Sequence, residues 1–392
     1  MKTAGGIIKS IQEIDITNKT VLMRLDFNVP LKDGKIEDDT RIREALPTIK
    51  YAIEKYAKLV LCSHLGRPDG RAKPEYSLEP VALHLAELLG RDVTLADDCV
   101  GEGIEMMAKS LKNGQVLLLE NLRFHNAEEG NDPVFCHKLA RLGDVYINDA
   151  FGTSHRKHAS TYGVAALMPV KGVGLLIEKE IKFLDKLVHH PEEPFYTILG
   201  GSKVSDKIKT IESLMKHVDG LLIGGAMMYA FWAAQGRALP EGAKKPSADD
   251  VEHAKGILRD AARREIPVLV AEDTVDAFDI GPQSVEKFSA FLQNAKTIFW
   301  NGPLGWFEKK PYDAGTFAIA EVIAGLSATK VVGGGDTVSA VHASGFAEKF
   351  DHLSTGGGAV LEYLEEGKLP GIEILKALHN KAVSKNMQDD SE

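Results

Sequence analysis

Five side chains able to carry positive charge stand where short apolar runs give way to turns: Arg41, His64, Arg67, Arg123 and Arg156. A planar guanidinium engages carboxylate or phosphate through paired hydrogen bonds, so arginines converging from successive turns suit a small polyanion. Any one of them alone reads equally well as solvated surface. Asp26 and Asn28 occupy the first such turn. Beside an anion cluster a carboxylate can accept the hydroxyl hydrogens of a polyol-like ligand, whereas alone the pair is ordinary turn chemistry.

The second half offers glycine instead. Gly200-Gly201-Ser202-Lys203-Val204-Ser205-Asp206-Lys207 ends a strand and opens a helix, which would put backbone N–H groups, a helix N-terminus and two lysines near one spot. Gly224-Gly225, Asn301-Gly302-Pro303, Gly333-Gly334-Gly335-Asp336-Thr337 and Ser354-Thr355-Gly356-Gly357-Gly358 hold comparable positions. Consecutive glycines cost backbone entropy, and close approach of main chain to phosphate is the return that explains two such triplets. Asp336 adds a hard oxygen ligand suited to a magnesium–phosphate complex. The P-loop pattern G-x-x-x-x-G-K-[ST] is absent, and Gly172-Val173-Gly174 and Gly101-Glu102-Gly103 lack the third glycine of a dinucleotide fingerprint. His189-His190 and Cys136-His137 read as surface pairs.

The elements that must carry these turns form a βα series. Apolar runs begin at Val21, Leu59, Val116 and Val145, then at Phe195, Leu221, Val268, Thr297 and Lys330. Runs apolar on both faces and alternating with helices call for parallel sheets covered on each side, with ligands beyond the carboxyl ends of the strands. Between the halves, Ile177, Ile181, Leu184 and Val188 make one stripe of a helix over 174–188, followed by a proline-bounded break at His189 to Pro194. This predicts a lobe over 1–172, a connector helix over 173–190 and a second lobe over 191–376, with the tail 377–392 returning to the first. A length of 392 residues, at roughly 150 per domain, agrees with two domains.

Composition excludes several classes. Hydrophobic residues at 44% and charged residues at 26% argue against collagen-like or disordered chains. A net charge of −9 argues against a broad basic surface for nucleic acid. The first half, with 22 basic and 24 acidic side chains over 1–170, is the better host for an anion than the remainder, with 25 and 32. No run approaches the roughly 18–20 apolar residues of a membrane span, and the opening residues lack the hydrophobic stretch of a signal peptide, so a cytoplasmic protein is expected. Cys62, Cys99 and Cys136, without a C-x-x-C pair, suggest reduced thiols.

With these residues in hand, the chain resembles the phosphoglycerate kinase family nearly end to end. The resemblance rests on Leu25-Asp26-Phe27-Asn28-Val29-Pro30, Asp38-Asp39-Thr40-Arg41-Ile42, Ser63-His64-Leu65-Gly66-Arg67-Pro68 and Glu120-Asn121-Leu122-Arg123-Phe124. It continues through Asn148-Asp149-Ala150-Phe151-Gly152, Gly200 to Lys207, Trp300-Asn301-Gly302-Pro303, Gly333 to Thr337 and Ser354 to Gly358. It implies two Rossmann-like lobes across a hinged cleft and a reversible, magnesium-dependent phosphoryl transfer between 1,3-bisphosphoglycerate with ADP and 3-phosphoglycerate with ATP. It also implies a cytoplasmic monomer with no tightly bound organic cofactor, no nucleic-acid partner and no membrane partner.

Carried over by position, Asp26, Phe27, Asn28, Arg41, His64, Leu65, Gly66, Arg67, Arg123 and Arg156 would bind 3-phosphoglycerate. Gly201, Lys203, Lys207, Gly225, Asn301, Glu308, Gly334, Gly335, Asp336 and Thr337 would bind the nucleotide, Glu308 through the ribose hydroxyls and Asp336 by orienting magnesium. Gly356, Gly357 and Gly358 would form the transition-state loop, with Arg41, Lys203 and Gly357 as the catalytic stabilisers. Two positions depart from the family's pattern: Ala226 follows Gly224-Gly225 where a third glycine is frequent, and Trp306 follows Gly305 where a small aliphatic is usual. The rival readings are an NAD-dependent dehydrogenase, disfavoured by the missing dinucleotide fingerprint, and a non-catalytic phosphate-ligand sensor, which would have no need of Lys203 and the glycines together.

Overall fold

The computed structural model describes residues 2–3 and 6–376. The chain forms two compact units, one comprising residues up to Lys179 with the described residues from Leu369 on, the other Glu180–Lys368. The return to the first unit thus begins at Leu369, before the segment 377–392 to which the sequence reading assigned it; that segment lies outside the described residues.

In the first unit, strands β1 (Thr20–Arg24), β2 (Lys58–Cys62), β3 (Val93–Leu95), β4 (Val116–Leu118), β5 (Val145–Asn148) and β6 (Lys171–Val173) build one six-stranded sheet in the order β6-β5-β1-β2-β4-β3. Every neighbouring pair is parallel. The central strands are buried on both faces, which is why they read as unbroken apolar runs. Val21, Met23, Leu59, Leu61, Val116, Leu118, Val145 and Ile147 pack with Ile42, Ala45 and Ile49 of helix α1 (Thr40–Glu54) in one core. Arg24 pairs in register with both Cys62 and Asn148, so the turns after these three strands leave the sheet at one level.

The second unit repeats the plan with β7 (Phe195–Leu199), β8 (Gly220–Ile223), β9 (Val268–Val270), β10 (Thr297–Asn301), β11 (Thr329–Gly333) and β12 (His352–Ser354). Its order, β9-β8-β7-β10-β11-β12, is 3-2-1-4-5-6 in chain order, the doubly wound arrangement of nucleotide-binding sheets, reached here without the dinucleotide fingerprint. All pairs are again parallel. The order reverses between β7 and β10, where the fold leaves a crevice for ligand. Leu199, Asn301 and Gly333 are in register, so the glycine turns that follow them lie side by side.

All the strands expected from apolar runs are present, and within the two six-stranded sheets β3, β6 and β12 are additions. Each has three residues, and Lys171-Gly172-Val173 and His352-Leu353-Ser354 carry too few apolar residues to announce themselves. The helix expected over 174–188 is α2 (Leu175–His189). Its buried stripe is Ile177, Ile181, Leu184 and Leu187, not Val188, because 3.6 residues per turn carries the face between these last two.

The first turn of α2 is tied down by buried groups. Leu175 N–H donates to Thr48 Oγ1 at 2.9 Å and Ile177 N–H to Asp149 Oδ1 at 3.1 Å. A Cβ on Gly174 would strike the Asp149 carboxyl group. A carboxylate at a helix start is favoured by the helix dipole, yet burial dominates here and pushes Asp149 up to about 7. Near the chain's end, Gly371 N–H donates to Ser154 O at 2.8 Å and Gly371 O accepts from Asn148 Nδ2 at 3.2 Å, in a space with no room for a Cβ.

An aspartate with a raised folded-state value takes up a proton on folding, so its contribution to stability falls as pH rises from about 4 to about 7 and is level above. Thermal melts of the wild type and Asp149→Asn across that range are expected to converge near pH 4, with the variant several degrees more stable by pH 8. Parallel melting curves at all pH values would contradict the assignment.

Candidate active site

At the carboxyl end of the first sheet the basic side chains gather around His64. Arg24 Nη2 lies 3.1 Å from His64 Nδ1. Because a guanidinium offers only donors, Nδ1 must accept, which leaves the proton on Nε2. Burial first, then Arg24, Arg123, Arg41 and Arg156, hold His64 well below its ordinary value, so it is a neutral donor over the whole physiological range. His158 is held at about 4, by burial first and then by Arg123, Arg156 and Arg24. Four of the cationic groups thus share one electrostatic neighbourhood, and Arg24 had gone unmarked among them.

Four of the guanidinium groups are braced. Arg41 Nη1 donates to Asn28 O at 2.8 Å and lies 3.5 Å from Asp26 Oδ1. Arg123 is buried, with Nη1 donating to Gly66 O at 2.7 Å and Nε 3.2 Å from Glu129 Oε1. Arg156 Nε donates to His155 Nε2 at 3.2 Å. Arg24 donates through Nε to Ser160 Oγ at 2.8 Å and through Nη1 to Leu25 O. Ser160 Oγ and N–H in turn donate to the buried Glu128 at 2.6 and 3.0 Å. Arg67 is exposed beyond the left-handed Gly66.

Several residues taken from the family pattern do structural work. The Phe27 ring and Leu65 side chain are in the core. The N–H groups of Leu65 and Gly66 are taken by Asn121 Oδ1 at 3.1 Å and Asn28 Oδ1 at 2.8 Å, so they shape the cradle rather than face a ligand. Glu120 accepts from Leu78 N–H, Asn121 N–H and Ser77 Oγ, fixing the neighbouring turn.

In the second unit the glycine turns line a trough in two connected parts. One, of ≈ 300 Å³, is bounded by Gly201, Lys203, Lys207, Asn301, Gly334, Gly335, Asp336, Thr337 and Gly357. The other, of ≈ 290 Å³, shares Gly201, Ser202, Pro303 and Asp336 with it and continues along Gly225, Ala226, Phe278, Trp306 and Glu308. The first part is rimmed by glycine, lysine and the start of helix α3 (Gly335–Ser344), with Gly357 preceding helix α4 (Gly358–Glu366). It suits phosphate. The second has an apolar wall and suits a base.

Backbone packing explains the glycines. Gly201 N–H donates to Pro303 O at 3.0 Å and Gly302 N–H to Thr337 Oγ1 at 2.7 Å, and a Cβ on Gly200 or Gly302 would drive into the opposing turn. Lys207 Nζ staples these turns, donating to Gly200 O at 2.7 Å and Asn301 O at 2.9 Å. Burial lowers it to about 8 against the opposing pull of Asp336 and Asp206. Asn301 Nδ2 donates to Gly333 O at 2.6 Å while its buried Oδ1 finds no partner. One expectation is corrected: the turn after β7 does not open directly into an α-helix. A 3-10 turn, Ser205–Lys207, intervenes before the helix Ile208–Leu214, so Lys203 stands on the turn itself.

Residues 11–368 match the family described as phosphoglycerate kinase. The chain belongs to the phosphoglycerate kinase family. Among curated phosphoglycerate kinases, that of Anaeromyxobacter sp. (strain Fw109-5) is 47% identical, covering 94% of this chain and 99% of its own, and that of Koribacter versatilis is 48% identical over 93% and 98%. The solved phosphoglycerate kinase of Coxiella burnetii superposes with a TM-score of 0.83 at 36% identity, covering 94% of this chain and 99% of that one. The Pyrococcus horikoshii enzyme gives 0.83 at 32% identity over 93% and 98%. Family membership disfavours both the dehydrogenase and the sensor readings. Among the described residues no helix is long and apolar enough to cross a membrane.

The kinase fold separates two uses of glycine that substitution will tell apart. Gly302 has φ +98 and no room for a Cβ, so Gly302→Ala should lower stability by about 2 kcal/mol or more. Gly357 has φ +52 and ψ −116 with open space around it, so Gly357→Ala should cost about 1–3 kcal/mol through backbone strain alone, without a clash. If its N–H serves the reaction, the fall in kcat will be out of proportion to that cost. Denaturant titration beside steady-state kinetics checks both.

Proposed function

We propose that this chain transfers a phosphoryl group reversibly between ATP and the carboxylate of 3-phosphoglycerate, the direction toward ADP and 1,3-bisphosphoglycerate being its reverse. The observation that carries the reading is the pairing, within one family member, of an arginine cluster about the neutral His64 with a glycine-lined trough on a doubly wound sheet. In this reading Asp26, Asn28, Arg41, His64, Arg67, Arg123 and Arg156 hold 3-phosphoglycerate. Lys203, Lys207, Glu308 and the segment Gly334 to Thr337 hold the nucleotide. The enzyme works as a cytoplasmic monomer.

Magnesium fits the second unit by its donor set. Asp336 is an exposed carboxylate on the first turn of α3, beside a bed of main-chain amides and close enough to Lys207 to oppose the lowering that burial imposes on that lysine. One carboxylate plus phosphate oxygens is magnesium's usual company, and Asp336 would hold it. When bound, the ion supplies charge neutralisation across the phosphate oxygens.

The acceptor is a carboxylate with an ordinary value near 4, ionised at neutral pH, so no general base is required. Its oxygen forms the new bond to the γ-phosphorus as the bond to the β-phosphate oxygen breaks. Placement and charge therefore supply the catalysis. The arginines neutralise the acid substrate, and His64 Nε2–H adds a donor without adding charge. Lys203 and the Gly357 N–H stabilise the phosphoryl group in flight from the nucleotide side, and Arg41 from the acid side. The reacting atoms must come within roughly 3–3.5 Å with water excluded, since an acyl phosphate hydrolyses readily.

ATP-dependent phosphorylation of 3-phosphoglycerate, followed through a coupled assay, tests the activity. For Lys203→Ala we expect kcat to fall by 10²-fold or more, as for loss of one transition-state donor, and by far more than nucleotide binding weakens. Equal losses in both would remove Lys203 from the transition state. Arg67→Ala should weaken 3-phosphoglycerate by roughly tenfold, as for loss of a charged hydrogen bond, and leave ADP affinity alone. Titration calorimetry giving the opposite pattern would place Arg67 elsewhere.

A further inference from the structure

Beside the turn that carries Arg123, three side chains with no part in phosphoryl transfer come together. Asp98, Cys99 and His125 bring a carboxylate oxygen, a thiol sulfur and a ring nitrogen within 4.8 Å of one another. Asp98 and Cys99 stand on the turn that follows β3, and His125 closes the 3-10 turn Leu122–Phe124. His125 Nε2 lies 2.6 Å from Asp98 Oδ1, and Cys99 Sγ donates to Glu120 O at 3.0 Å. The Glu120 carbonyl oxygen is therefore a fourth donor atom, next to the sulfur.

The cluster is held from several sides. Cys99 N–H donates to Asp98 Oδ1 at 2.6 Å, Glu120 N–H to Asp98 O at 3.4 Å, and the Phe135 ring lies 5.2 Å from the His125 ring. The thiol is buried, while the Asp98 and His125 side chains are 47% and 32% exposed, so an ion can enter from solvent and meet the sulfur last.

The spacing and the ligand types select the ion. Tetrahedral zinc, with bonds of about 2.0–2.3 Å, sets its ligand atoms about 3.3–3.8 Å apart. Asp98 and His125 need part by only about 0.7 Å, and no other pair need close by more than about 1.5 Å, which side-chain rotation covers. Burial first, then Asp98, holds the Cys99 thiol well above its ordinary value, so it keeps its proton until a metal displaces it. Magnesium and calcium, which prefer oxygen, grip sulfur too weakly to do so, whereas zinc and its neighbours bind thiolate strongly. Sequence spacing conceals the set, because it holds one ligand of each kind and no C-x-x-C pair.

We propose that Asp98, Cys99 and His125, with the Glu120 carbonyl oxygen, form a binding site for a thiophilic divalent cation of the zinc class. As the Sγ–metal bond forms, the S–H bond breaks and the proton passes to solvent. The bound ion clips the turn after β3 to the segment 120–125 and steadies the first unit. The site shares no residue with the carboxylate proposed for magnesium or with the groups proposed for the acid substrate, and it does not depend on the phosphoryl-transfer reading.

The test adds Co²⁺ or Zn²⁺ alone to the full chain, without nucleotide. Co²⁺ is expected to give the near-ultraviolet absorption of a thiolate–cobalt bond, which Zn²⁺ removes and a large excess of Mg²⁺ does not. Cys99→Ser should lose the band, and Cys136→Ser should keep it. His125→Gln and Asp98→Asn, at partly exposed positions, should each weaken binding by roughly tenfold or more, since even the loss of an outer partner of a metal ligand costs that much. Saturating Zn²⁺ should raise the melting temperature of the wild type by several degrees more than that of Cys99→Ser. A wild type without the thiolate band, a band that survives in Cys99→Ser, equal melting shifts in the two proteins, or affinity unchanged in both His125→Gln and Asp98→Asn overturns the site.

Discussion

Unbalanced positive charge is the constraint around which the first unit is built. Arg24, Arg41, Arg123 and Arg156 all act on His64, and like charges so placed repel until an anion joins them. The chain contains that repulsion locally. Asp26 and Glu129 sit beside Arg41 and Arg123, Glu128 reaches Arg24 through Ser160, and the histidines stay neutral. Glu128 is itself pushed upward, chiefly by burial, so even the compensating charge is held at a cost. A polyanion arriving at this surface would meet donors already braced, which keeps the reorganisation it must drive small.

The second unit solves the same problem with the positive charge at its trough confined to Lys203 and Lys207 and set against Asp206 and Asp336. Its phosphate-sized trough draws on main-chain amides and on helix starts preceded by Gly334 and Gly357. Such groups attract anions without repelling one another as guanidinium groups do. The difference matches the two ligands proposed, a compact acid with little else to grip and a nucleotide that also offers a base and a sugar.

Much of this was legible in the sequence because buried parallel strands must be apolar on both faces, and so their ends, and the polar residues just past them, stand out. Arg67, Lys203, Asp336 and the glycine triplets all fall at such ends. Arg24 was hidden by the same rule: it closes β1 within an apolar run, where a charge is read as an interruption, and only its contacts with His64, Leu25 and Ser160 reveal that its guanidinium joins the turns beside it. Its partner Glu128 lies far along the chain, on a short helix with no pattern of its own. Phe278 and Asp279 were equally silent, since nothing local marks an aromatic as cleft-facing. The edge strands β3, β6 and β12 were missed because three residues carry too little periodicity.

The bond pair between Gly371 and residues 148–154 has a consequence for how the protein is made. The second unit is one unbroken stretch, whereas the first needs a piece supplied by the far end of the chain. A ribosome therefore finishes exposing the second unit while the first still lacks its closing segment. The unit made earlier must wait for a later stretch, holding an incomplete surface near Asn148 and Ser154 until Gly371 emerges from the exit tunnel.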